Sequence, residues 1–167
     1  GWQSAAFHVP EADFQAFVLE LGAGWDLISV PLAPLEDSAA LALALTPVVG
    51  DAWEWRGGRY APAESLVPGH GYWVYCDPAA VPPGEVSVDV EIVGRYPASV
   101  ERLLERGWNL VGPAMEMAFP DAVARTGTIW ALPTGADKLR PLGDEAPMLP
   151  GRGYWVLIEE PGVVDLT

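Results

Sequence analysis

Two short motifs occur twice in this chain, in the same order and at nearly one offset. This duplication constrains the fold more than any other feature. Gly24-Trp25-Asp26-Leu27 returns as Gly107-Trp108-Asn109-Leu110, and Gly71-Tyr72-Trp73-Val74 returns as Gly153-Tyr154-Trp155-Val156. The second motif follows a matching turn each time, Leu66-Val67-Pro68-Gly69-His70 and Met148-Leu149-Pro150-Gly151-Arg152. Trp25 and Trp108 stand 83 positions apart, and Trp73 and Trp155 stand 82 apart. Such spacing indicates a duplicated unit of about eighty residues, longer than the common solenoid repeats, so two copies point to one body rather than a rod. We divide the chain into an entry segment (1–13), a first unit (14–84) and a second unit (85–167), expected to pack together as one domain.

The local pattern reads as short strands. In Phe14 to Leu21, one alternating set (Phe17, Leu19, Leu21) is apolar, as in a half-buried strand. Trp25 to Leu32 reads as a second strand closed by Pro31 and Pro34, and the two together suggest a hairpin. Asp37-Ser38 can cap a short helix over Ala39 to Leu45. Gly57-Gly58 between Trp53-Glu54-Trp55-Arg56 and Arg59-Tyr60-Ala61 is a hairpin signal. Asp77 to Gly84 reads as a linker. Val86, Val88, Val90 and Ile92 then alternate with Ser87, Asp89, Glu91 and Val93 in the clearest period-two strand of the chain. In the second unit Phe119 to Arg125 reads as a weak helix. Thr128 to Leu132 and Leu139 to Leu142 flank a longer loop, and Val163 to Leu166 echoes Val86 to Val90. The expectation is a mostly β fold with a few short helices, whose two pseudo-symmetric repeats form a β-sandwich or barrel-like body.

Composition narrows the class. The net charge is −14, from 23 acids and 9 bases, which argues against nucleic acid as a partner because phosphate binding needs clustered Lys and Arg. An anionic membrane surface is disfavoured for the same reason. The longest apolar run, Ala39 to Gly50, is shorter than the roughly 20 residues of a membrane span. Cys76 is the single cysteine and reads as a small buried hydrophobe. No signal-like segment opens the chain, so a signal peptide is expected to be absent or already removed.

Gly107-Trp108-Asn109-Leu110-Val111-Gly112-Pro113 and Leu149-Pro150-Gly151-Arg152-Gly153-Tyr154-Trp155-Val156 resemble a tandem repeat domain of secreted and cell-surface bacterial and archaeal proteins. Gly24 to Pro31 is similar, with Asp26 where that repeat has Asn. The resemblance implies an extracellular, non-catalytic module appended to larger surface proteins. It carries neither an active site nor a ligand with it.

The six motif aromatics (Trp25, Trp108, Tyr72, Trp73, Tyr154, Trp155) read as fold-defining core residues. Adjacent Tyr and Trp in a strand point to opposite faces, so at most one of each pair is free for a ligand. Trp53, Trp55 and Tyr60 are the candidate contact residues: two rings share a strand face opposite a third, and the second unit keeps only Trp130. Asp26 and Asn109 occupy one motif position, which suits a turn hydrogen bond rather than acid–base chemistry. The acid pairs Glu36-Asp37, Asp89/Glu91, Asp144-Glu145 and Glu159-Glu160 fall in loops or on solvent faces, whereas glycoside hydrolysis needs two carboxylates in one cleft. The acidic loops leave calcium open, although no Asp-rich loop of alternating oxygens is present. His8 and His70 have no ligand-spaced companions. The reading is therefore a non-enzymatic structural or interaction module, extracellular or at the cell surface, without a cofactor or catalytic or metal residues. Protein partners or self-association through the terminal strand Val163 to Leu166 are expected. The alternative is a carbohydrate-binding module that uses Trp53, Trp55 and Tyr60 on a polysaccharide.

Overall fold

The computed structural model describes residues 14–34, 47–121, 125, 127–143 and 145–167. The entry segment with His8, the helix expected over Ala39 to Leu45, the Glu36-Asp37 pair, Asp144 and the middle of the weak helix after Phe119 all lie outside these residues. The fold is mostly β, built from antiparallel sheets that do not close into a barrel. Among the described residues the helical content is one 3-10 turn, Pro78–Ala80, capped by Asp77, whose Oδ1 accepts from the Ala79 N–H.

Strands β1 (Gln15–Gly22) and β2 (Gly24–Ser29) are adjacent in sequence but do not form the expected hairpin. β1 pairs along its length with β7 (Ser87–Arg95), and β2 pairs with β6 (Gly69–Cys76). The reason is local. The Asp26 carboxylate accepts from the Gly22 N–H at 2.7 Å and from its neighbour Leu27 N–H at 2.8 Å, so the chain turns a corner at Ala23-Gly24 instead of folding back in one sheet. A three-stranded sheet results, β1-β7-β3, where β3 is Ala33–Pro34. The strand expected to open the second unit therefore lies beside β1.

The larger sheet runs through both halves. β4 (Trp53–Arg56) and β5 (Arg59–Pro62) form the predicted hairpin, with φ of 58° at Gly57 and 77° at Gly58. Both central residues of such a tight turn need positive φ, which only glycine adopts cheaply. β4 joins β6 through Trp53 and Trp73. In the second half β9 (Gly107–Gly112) pairs with β12 (Tyr154–Ile158), and β10 (Trp130–Ala131) pairs with both β12 and β11 (Arg140–Pro141). Finally, β8 (Glu101–Leu104) pairs with β13 (Gly162–Asp165). The terminal strand is thus already engaged within the chain: the Leu166 N–H donates to Val100 O, and the Ala114 N–H donates to Leu166 O.

The halves are stitched by two crossing arms. The Pro68-Gly69 arm pairs Gly69 with Gly112 and His70 with Val111. The Pro150-Gly151 arm bridges Arg152 to Ile28, and the Ser29 N–H donates to Gly151 O at 3.0 Å. The glycines permit this approach. A Cβ on Gly71 would lie 2.8 Å from Leu110 Cγ, and one on Gly153 would lie 2.9 Å from Leu27 Cγ. Gly69 and Gly151 also hold positive φ, with Val100 and Phe17 of the opposite half pressed against them.

Among the described residues, three apolar clusters follow from the alternation. Leu19, Leu21, Ile28, Tyr72, Val74 and Ile92 fill the space between the two sheets of the first half. Leu104, Val111, Met148, Tyr154, Val156 and Val164 do so in the second. A smaller third cluster, on the other face of the large sheet, draws Leu27 from one half and Leu110, Leu132 and Trp155 from the other. Each fully buried leucine contributes about 1.5–3 kcal/mol relative to exposure.

Candidate functional site

The large sheet has two unlike faces, because successive residues of a strand point to opposite sides. Tyr72, Val74 and Tyr154 point inward. Each tyrosine hydroxyl accepts from the turn before it, Tyr72 from the Val67 N–H at 2.9 Å and Tyr154 from the Leu149 N–H at 2.7 Å. Burial raises the Tyr72 phenol to about 12, although that same hydrogen bond opposes the rise. Their neighbours Trp73 and Trp155 point to the opposite face, as the alternation requires.

That opposite face is aromatic. Trp25 pairs with Tyr75, Leu27 and Trp53 pair with Trp73, and Trp55 pairs with Tyr60. In the second half Trp155 pairs with Leu110 and Trp130. Trp25 and Trp108, expected in the core, are instead 52% and 44% exposed. They stand on the same side as the buried leucine two residues later, at the rim where the sheet meets solvent. Tyr60 is also exposed, while Trp53 and Trp55 are half-buried.

The rings enclose two open recesses. One, of about 390 Å³, is lined by Trp25, Trp53, Tyr60 and Trp73. The other, of about 490 Å³, is lined by Trp55, Tyr60, Trp108, Trp130, Leu139 and Trp155. Tyr60 belongs to both. The candidate contact residues Trp53, Trp55 and Tyr60 thus do lie on one face, but as the partition between recesses rather than as a free-standing platform. Trp55 also spans the two halves. Its indole N–H donates to Trp108 O at 3.0 Å, and its ring meets Trp155 edge-to-face at 5.2 Å.

A polar cleft of about 330 Å³ lies beside this face, lined among others by Glu54, Arg56, His70, Arg102, Glu105 and Asn109. Its charges are partly spoken for. Arg56 Nη2 is 2.7 Å from Glu54 Oε1, and Arg102 donates to the carbonyls of Gly69 and Leu110, tying β6 to β9. Burial, then Arg102 and Arg56, depress His70 to about 4, so it is neutral near pH 7. Burial also lowers Arg102 to about 10 and pushes the Cys76 thiol up.

The Asp26/Asn109 position behaves as its residue types suggest. Asp26 Oδ2 accepts from the Gly22 N–H, and Asn109 Oδ1 accepts from the Glu105 N–H at 3.1 Å, each four residues upstream. Sequence reasoning missed a second role. Arg152, in the turn of the other half, grips Asp26 with both guanidinium ends and donates onward to Glu20 O and Leu132 O. Nothing local signals this pair. Asp89, Glu91 and Glu160 are exposed, and no three His, Cys, Asp or Glu side chains converge on a metal-sized site among the described residues. No described helix is long and apolar enough to cross a membrane. No protein-family model, curated protein or solved structure matches the chain.

Proposed function

We propose that this chain is a non-catalytic recognition module that engages its partner through the aromatic face of the large sheet. The observation that carries the reading is the exposure of Trp25, Tyr60 and Trp108 around two recesses, on the one face of the large sheet that neither of the two larger apolar clusters fills. Contiguous exposed apolar surface marks interaction sites. Trp and Tyr are the residues enriched where binding energy concentrates. The motif resemblance and the acidity support an extracellular or cell-surface setting.

The same reading takes the chain as two copies of one unit, now divided after β7 rather than between 84 and 85, since β7 pairs with β1 as β13 pairs with β8. Matched hydrogen bonds at Tyr72 and Tyr154, at Asp26 and Asn109, and matched glycine contacts in the two arms support it. In that frame β7 closes the first copy as β13 closes the second. The polysaccharide alternative is weaker, because the recess linings are almost wholly ring carbon and sugar hydroxyls need polar partners.

Trp25→Ala, Trp108→Ala and the double variant test the reading. Self-association should be measured by light scattering over a concentration series, and binding on a panel of neutral glycans and small organic ligands. Wild type should associate or bind, and the double variant should lose that property with its melting temperature kept. Variants that bind as wild type does would contradict the proposal.

A further inference from the structure

Arg152 and His70 stand at corresponding places, each between a Pro-Gly turn and a Gly-Tyr-Trp strand. Their surroundings correspond too. Arg152 donates to the Asp26 carboxylate, to Glu20 O and to Leu132 O. Asn109 matches Asp26, and Leu103 matches Glu20 at the same distance upstream. Trp55 matches Leu132, because Trp53 pairs with Trp73 as Trp130 pairs with Trp155. Asn109, Leu103, Trp55 and His70 all line the polar cleft of about 330 Å³. The cleft is therefore the space that a guanidinium fills in the other half. Histidine is shorter than arginine and leaves that space open.

The groups around it can still form hydrogen bonds. Among the described residues, no hydrogen bond engages the His70 imidazole, and the Arg102 guanidinium donates through Nη1 alone. Asn109 is spent on the backbone of Glu105 and Gly107. The charges of the lining oppose one another. A cation entering the cleft meets Arg102 and Arg56, and an anion meets Glu54, Glu101 and Glu105. A neutral guest that both donates and accepts avoids either penalty, and a hydroxyl does both. Trp55 and Trp108 line this cleft as well as the larger recess. They add apolar ring surface against which the C–H face of a sugar can pack. The cleft thus supplies the polar partners that the two recesses lack.

We propose that the cleft between His70, Arg102, Glu105 and Trp108 binds one neutral hexopyranose unit. The inference rests on the two-copy reading, which makes the cleft the open counterpart of the Arg152 site. It does not require association through the aromatic face.

The test is a calorimetric titration at pH 7, with backbone amide shifts followed by NMR. The probes are the methyl glycosides of glucose, galactose and mannose, set against glucosamine and glucuronate as charged sugars. At least one neutral glycoside should bind saturably, with a Kd on the order of 1 mM for a ligand of this size. The charged sugars should bind more weakly, and shifts should centre on His70, Arg102 and Glu105. His70→Arg, which gives the cleft the occupant of the other half, should abolish binding. Glu105→Ala, an exposed position, should weaken it by about threefold to tenfold. Glu91→Gln, on the solvent face of β7, should change nothing. Absence of saturable binding by all three glycosides would overturn the proposal. So would tighter binding of either charged sugar, or binding that survives both His70→Arg and Glu105→Ala. Self-association that persists in His70→Arg and is lost in the Trp25→Ala, Trp108→Ala double variant would leave the aromatic face standing in either case.

Discussion

Arg152 holds Asp26 in a two-pronged grip across 126 positions of sequence, with Nη2 2.7 Å from Oδ1 and Nη1 3.2 Å from Oδ2. The carboxylate is 1% exposed, and the guanidinium is also hydrogen-bonded to two backbone carbonyls. Removing one partner strands a buried charge, which costs about 3–5 kcal/mol, more than the pair itself contributes. Arg152→Ala and Asp26→Ala should each lower unfolding free energy by that order in urea denaturation, and the double variant should lose less than their sum. Additive losses would show that the two side chains act independently.

The tyrosine hydroxyls tie each Pro-Gly turn to the strand that follows. Tyr72→Phe and Tyr154→Phe remove the acceptors of the Val67 and Leu149 N–H groups while keeping ring packing. Each should cost about 1 kcal/mol, the usual net worth of one hydrogen bond. Urea midpoints check this.

His70 makes stability pH-dependent. Its folded value near 4 lies below the ordinary histidine value of 6.5, so the unfolded chain takes up a proton first as pH falls. The stability it contributes is full above pH 6.5, drains away between 6.5 and 4, and is gone below. The loss is on the order of 3 kcal/mol, at about 1.4 kcal/mol per unit. Unfolding titrations of wild type and His70→Asn should diverge across that window and run parallel above it.

Gly22 faces the loop of the other half. A Cβ there would sit 2.5 Å from the Gly135 nitrogen, and backbone cannot yield as a flexible side chain would. Gly22→Ala should destabilise by about 1–3 kcal/mol through overpacking. Gly58→Ala meets open space but keeps a positive φ of 77°, so it tests backbone strain alone. Thermal melts of the two separate the mechanisms.

Local features were legible in the sequence. The alternation in Phe17 to Leu21 and Val88 to Ile92, the Gly-Gly hairpin and the opposite orientation of Tyr72 and Trp73 all follow from neighbours a few residues apart. Partnership between distant segments was not. The short link at Ala23-Gly24 looks like a hairpin until Asp26 claims the Gly22 N–H and sends the two strands into different sheets. Arg152 carries no local sign that its carboxylate lies in the other half. The aromatic face was only partly legible: Trp53, Trp55 and Tyr60 share it, but the exposure of Trp25 and Trp108 depends on which sheet face lacks a covering layer. That is a property of the assembled halves and not of the motif.

The most direct test of the aromatic face as recognition surface is to follow the tryptophan indole N–H signals by NMR, once during dilution and once during titration with the ligand panel. Shifts concentrated on the tryptophans around the two recesses, Trp25, Trp55, Trp108 and Trp130, in at least one series are the expected result. An unchanged set of indole signals in both series would contradict it.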